Sequence, residues 1–110
     1  MCSSDLVDRI RQMGPESVVL SLGSRGAIAA RADLMVEIIP PRVEAVCPIG
    51  AGDALVAAFA WAMTQKDDFA DAVRWGVAAG TASARLPGVA FASLSETREI
   101  FERIEVRRLA

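Results

Sequence analysis

The sequence predicts an α/β fold with a β-hairpin near its N-terminus, and three observations carry that prediction. An amphipathic helical pattern at residues 6–13 is followed, across Gly14-Pro15, by the β-branched run Ser17-Val18-Val19-Leu20-Ser21-Leu22. Helix then strand over a short loop is the second half of a βαβ unit. A Gly-x-x-Gly turn, Gly23 to Gly26, then leads into Ala27-Ile28-Ala29-Ala30, which reads as a turn between two strands. Further on, two glycines and a carboxylate stand between a β-type run, 43–46, and a nearly all-apolar helical run, 54–63.

Bulk properties bound the rest. A chain of 110 residues is one domain at most, with a modest core. A net charge of −2 offers no basic field for nucleic acid. The chain has no histidine, which removes His-based catalysis and most zinc sites. Its two cysteines, Cys2 and Cys47, form neither a metal spacing nor a disulfide framework. The expected setting is cytoplasmic and reduced. No uncharged run reaches the length of a membrane span, because Gln65-Lys66-Asp67-Asp68 ends the longest one. No nucleic-acid or membrane partner is expected.

The elements follow in order. Met1-Cys2-Ser3-Ser4-Asp5-Leu6 matches what one reading frame through the end of a common sequencing adapter would encode. Residues 1–6 are therefore expected to be a non-native leader, and Cys2 to mean nothing. A capped helix start at Ser4 or Asp5 is the other reading. Leu6, Val7, Ile10 and Met13 fall on one helical face, opposite Arg9, Arg11 and Gln12. Gly14-Pro15 stops that helix. The run 17–22 reads as a strand buried on both faces. Residues 34–39 form another apolar β-type run, interrupted by Pro40-Pro41.

The run 54–63 is apolar all round the helical wheel and is expected to be buried. Asp67-Asp68 opens a second helical pattern, 69–85. Its small residues Gly76, Ala78, Ala79, Gly80 and Ala82 predict close packing against another backbone. Leu86-Pro87-Gly88 ends it. Ser93-Leu94-Ser95-Glu96 fits a capping box. Ile100, Phe101 and Ile104 give the last helix an apolar stripe. Residues 104–109 alternate as a closing strand would.

The chemistry concentrates at Cys47-Pro48-Ile49-Gly50-Ala51-Gly52-Asp53. A helix N-terminus carries unpaired N–H groups and the positive end of the macrodipole, so it attracts anions. Gly50 and Gly52 lack a Cβ, so backbone there can close around a phosphate. Asp53 beside such a site is placed to accept a proton from an attacking hydroxyl. The same four residues also fit a plain turn, with Asp53 as a first-turn helix residue that the dipole favours.

Gly50-Ala51-Gly52-Asp53, followed by Ala54-Leu55-Val56-Ala57-Ala58-Phe59, resembles the C-terminal signature of the PfkB-type (ribokinase-like) carbohydrate kinases. The resemblance implies the C-terminal portion of a ribokinase-like three-layer α/β/α fold. Residues 7–110 would be the C-terminal part of the kinase domain, with the N-terminal sugar-binding half absent. It implies an anion hole from the Gly50, Ala51 and Gly52 backbone, and Asp53 as catalytic base. Ser21-Leu22-Gly23-Ser24-Arg25-Gly26 is similar to the family's ATP-phosphate turn. By position, Ser21, Gly23, Ser24 and Gly26 would contact the nucleotide together with Gly52 and Asp53, while Arg25 reads either as a solvated turn residue or as a further phosphate contact. Adenine would lie near the helix at 69–85 and the loop after it.

The implied reaction transfers the γ-phosphoryl of MgATP to a hydroxyl of a sugar or sugar phosphate. The fragment alone is expected to be inactive. The family's magnesium-associated Asn-x-x-Glu element is absent, so no metal ligand is assigned here. Cys47-Pro48 replaces the Asp-Thr of the ribokinase branch, and a thiol is a poor potassium ligand. A potassium site is therefore doubtful, and Cys47 reads as a packed, unreactive thiol. That departure is closer to the sugar-phosphate branch, with fructose 1-phosphate as first candidate and a homodimer for the full-length parent. Two alternatives stay open. One is a ribokinase- or nucleoside-kinase-like member of the family, and the other is a non-catalytic nucleotide-binding remnant.

Overall fold

The computed structural model describes residues 3–88 and 90–109. Met1 and Cys2, the start of the expected leader, lie outside the described residues. Strands β1 (Ser17–Ser21), β2 (Ala27–Arg31), β3 (Leu34–Ile39) and β4 (Glu105–Arg108) form one sheet in that order. Every neighbouring pair is antiparallel. Helix α1 (Ser3–Gln12) covers one face. Helices α2 (Ala51–Thr64), α3 (Phe69–Ala84) and α4 (Leu94–Phe101) form the layer on the other.

Alternation along the strands sorts the core into two clusters. Val18, Ile28, Ala30 and Met35 face α1 and bury Val7 among them. Ala27, Ala29, Val36 and Ile38 face the other way, against Phe69, Val73 and Val77 of α3 and Ile100 of α4. The expected three-layer α/β/α order and the hairpin are both present.

Four expectations change. The predicted four-residue stripe of α1 reduces to Val7, buried, and Ile10, half-buried, while Leu6 and Met13 are exposed. The helix ends at Gln12, and it packs chiefly on β1 and β2, with Met35 of β3 beside Val7. β1 is an edge strand rather than one buried on both faces. Only Val18 in it is buried, because β1 has a neighbour on one side only.

Residues 43–46 are not a strand. β3 already pairs with β2 and β4, so neither of its edges is open to them. The N–H groups of Val46 and Cys47 instead donate to the Ala84 carbonyl, at 2.8 and 3.0 Å. Finally, α2 is not buried on every face. Only Ala54 and Ala62 are buried in it, while Val56 is 62% and Trp61 43% exposed. α3 covers one side of α2, and residues 53, 56, 57, 60, 61 and 64 form an open stripe on the other.

The helix ends follow their sequence signals. Asp68 caps α3, its carboxylate accepting from the Asp71 N–H at 2.8 Å. The Ser93–Glu96 capping box is complete. β4 closes the sheet, with Val106 opposite Ile38.

Candidate active site

The turn that starts α2 is built by its own hydrogen bonds. The Ala51 N–H donates to the Pro48 carbonyl at 3.1 Å, and the Ala54 N–H to the Gly50 carbonyl at 3.0 Å. Gly50 caps the helix at φ 86°, a left-handed conformation that favours glycine. The N–H groups of Gly50, Gly52 and Asp53 find no acceptor among the described residues. They are the orphan donors of a helix start, and the macrodipole adds partial positive charge there.

Gly50 and Gly52 thus keep free donors, while Ala51 spends its N–H inside the turn. The Asp53 N–H is a donor that sequence reasoning missed. The helix starts at Ala51, three residues before the apolar run begins, which places Asp53 in the first turn. Nothing in the fold requires a glycine at position 52. Its φ lies outside the left-handed region, and a Cβ there would meet nothing within 4 Å.

The Asp53 side chain is exposed and has no hydrogen-bond or ion-pair partner among the described residues. It sits at one end of a groove of about 470 Å³ between α2, α3 and the 91–97 segment. Ala57, Trp61, Trp75, Phe91 and Leu94 are among the residues that line that groove, which is largely apolar. The aromatic part was not foreseen. Trp61 meets Trp75 edge-on at 5.7 Å between ring centres, and Trp75 stacks on Phe101 at 4.0 Å. The Arg74 guanidinium lies 3.8 Å above the Phe101 ring and donates to the Phe101 carbonyl at 3.1 Å. The sequence signal is one tryptophan on each of two neighbouring helices, which periodicity alone does not pair.

The hairpin turn is the second predicted patch. The Leu22 N–H donates to Gly26, and the Gly26 N–H to Gly23, through a 3-10 turn at Gly23–Arg25. Ser21, Gly23 and Ser24 are exposed. Gly26 is buried at φ 95°, where a Cβ would fall 1.9 Å from the Ile38 carbonyl oxygen. Packing therefore accounts for that glycine without a ligand. No hydrogen bond or ion pair joins residues 21–26 to residues 50–53 among the described residues, and residues 21–26 do not line the groove beside Asp53.

The small residues of α3 do admit another backbone. A Cβ on Gly76 would lie 2.8 Å from the Leu55 carbonyl oxygen, and one on Gly80 3.0 Å from that of Ala51. Cys47 is a free, half-buried thiol. The Ser93 backbone N–H, donating to the Glu96 carboxylate, holds that group below its ordinary value of 4.5. Burial, with Asp68 nearby, raises Asp71 above its ordinary 3.8. No cluster of three or more His, Cys, Asp or Glu able to hold a metal occurs among the described residues. No described helix is long and apolar enough to cross a membrane.

Comparison with known proteins gives one consistent result. The family described as pfkB family carbohydrate kinase matches residues 3–97. The chain is 33% identical over 84 residues to ATP-dependent 6-phosphofructokinase isozyme 2 of Escherichia coli, covering 76% of this chain and 27% of that protein. It is 35% identical over 74 residues to 1-phosphofructokinase of Borreliella burgdorferi, covering 66% and 24%. The structure of phosphofructokinase-2 from Escherichia coli in complex with potassium superposes with a TM-score of 0.86. That match has 29% identity and covers 92% of this chain and 33% of the other. The chain thus spans about a quarter of the length of the two curated relatives and a third of the solved structure.

Proposed function

The chain belongs to the pfkB family of carbohydrate kinases, and from that premise we propose that it supplies the base and anion-binding part of an ATP-dependent phosphotransferase. The acceptor is a hydroxyl of a sugar or sugar phosphate. The observation that carries this reading is Gly52, a position left bare where the fold has no use for bareness. Beside it stand free N–H groups and an unpartnered carboxylate.

In this reading the Gly50, Gly52 and Asp53 N–H groups stabilise charge on the transferring phosphoryl oxygens. Ala51 contributes through the turn that aims them. The acceptor oxygen forms a bond to the γ-phosphorus as the bond to the bridging oxygen of ATP breaks. The acceptor's proton passes to an Asp53 carboxylate oxygen. Magnesium bound with ATP would neutralise phosphate charge, and its ligands would come from outside these residues. Cys47 offers sulfur and no hard side-chain oxygen, so a potassium site built on this side chain is not proposed. Ser21, Gly23, Ser24 and Gly26 are proposed as nucleotide contacts on resemblance.

Residues 7–110 are proposed as the C-terminal part of a longer cytoplasmic, homodimeric kinase that supplies the sugar-binding half. The relatives' names leave two fructose phosphates as acceptors, and we retain fructose 1-phosphate first. The test is Asp53→Asn in the full-length protein, assayed with fructose 1-phosphate, fructose 6-phosphate and ribose. Turnover is expected to fall about 100- to 10,000-fold with ATP affinity little changed. Wild-type turnover in the variant would remove Asp53 as base.

A further inference from the structure

We propose that Gly80 of α3 is a positioning residue for the anion-binding peptide at the head of α2. This rests on the proposed anion site and goes beyond it, because Gly80 donates nothing to a ligand. A Cβ on Gly80 would stand 3.0 Å from the Ala51 carbonyl oxygen and 3.7 Å from Leu55 Cβ. At that separation the neighbour has to move by a few tenths of an ångström. The Ala51 carbonyl and the Gly52 N–H are the two ends of one planar peptide unit. A push on the oxygen therefore re-aims the donor.

One turn further along α3, on the same face, the Ala84 carbonyl receives the Val46 and Cys47 N–H groups. Residues 80 and 84 thus fix the loop on both sides of Gly50. α3 acts as a rail that registers residues 46–52.

Gly76 supplies the control. It makes the same kind of approach to α2, and a tighter one, at 2.8 Å from the Leu55 carbonyl oxygen. That peptide lies one turn inside the helix, away from the free donors. If both glycines merely permit packing, Gly76→Ala should do more damage than Gly80→Ala in every measurement. If Gly80 aims the donors, stability and anion binding should rank the two variants in opposite orders.

The experiment titrates the full-length protein with inorganic phosphate and follows the Gly52 and Asp53 amide resonances, with the thermal midpoint measured alongside. In the wild type both resonances should shift saturably. Gly76→Ala should lose more of the thermal midpoint yet bind phosphate as the wild type does. Gly80→Ala should lose less of the midpoint and bind about tenfold more weakly, within the range that small misplacements cause. Unchanged affinity in Gly80→Ala, or weakening in both variants in step with stability, overturns the proposal. Absence of any wild-type shift removes the anion site and the proposal together. If Gly80→Ala does not fold, the wild-type titration decides. Phosphate should then move the Gly80 amide with that of Gly52 and leave Gly76 still, and a still Gly80 amide overturns the positioning role.

Discussion

The hairpin turn and the head of α2 carry similar glycine motifs, and the fold treats them in opposite ways. At the hairpin, Gly26 is buried, left-handed and pressed against the end of β3. At the α2 head, Gly52 is exposed, right-handed and free of neighbours. A glycine that the packing already requires says little about a ligand. A glycine that the packing does not require is left open to a ligand, and that is the ground on which Gly52 is proposed. The same contrast holds for the surroundings, since the hairpin packs on its own sheet while α2 presents an apolar stripe to solvent.

The largest expected effect tests the open side as a whole. The 110-residue chain alone should show no kinase activity on fructose 1-phosphate or ribose with MgATP, because catalysis by positioning needs both substrates held in line. Val56, Trp61, Phe91 and Leu94 are exposed apolar residues on or beside the groove, so the chain should also associate at moderate concentration. Light scattering and a coupled ADP assay check both. A monodisperse chain that turns over either sugar, and loses that activity in Asp53→Asn, would mean that the open side needs no cover.

The next two substitutions set the glycines against each other. Gly26→Ala combines left-handed backbone strain with a backbone clash, and should cost roughly 3 kcal/mol or more. Denaturant unfolding measures it, and near-wild-type stability would erase the contrast. Gly52→Val should change stability by only about 0.5 kcal/mol, because glycine and valine differ little in helix propensity. Phosphate-dependent nucleotide binding should nevertheless be lost. Equal affinity at equal stability would place the anion site elsewhere.

Much of this fold was legible because its signals are local. Asp68 and Ser93 announce their caps at fixed spacing, and the alternation from Ile104 onward announces β4. The misreadings share one cause, which is that burial and strand pairing depend on neighbours distant in sequence. Residues 43–46 have strand composition, but β3 has no edge left for them. α2 has the composition of a buried helix, but α3 shields only one of its sides. At the site, the motif pointed to the Gly50, Ala51 and Gly52 N–H groups and to Asp53 as a base. It could not show that the Ala51 N–H is taken by Pro48, because turn bonding is a property of the folded loop.

The smallest expected effect concerns the wall of the groove, where α4 begins and Leu94 and Thr97 line the cavity. The Ser93 backbone N–H donates to the Glu96 carboxylate at 2.9 Å and lowers its pKa below 4.5. A carboxylate depressed in the folded state contributes stability that is complete above its unfolded pKa and lost as pH falls through the folded one. Asp71 works in the opposite sense. Its pKa is raised above 3.8, chiefly by burial and then by Asp68, so protonation relieves the folded state and stability rises as pH falls through that value. Glu96→Gln keeps an acceptor in the capping box but cannot titrate. It should flatten the loss of thermal midpoint on acidification below about pH 5, whereas Asp71→Asn should steepen it by removing the compensating gain. An acid limb of unchanged slope in Glu96→Gln would mean that ionisation of Glu96 adds nothing to the stability of the groove wall.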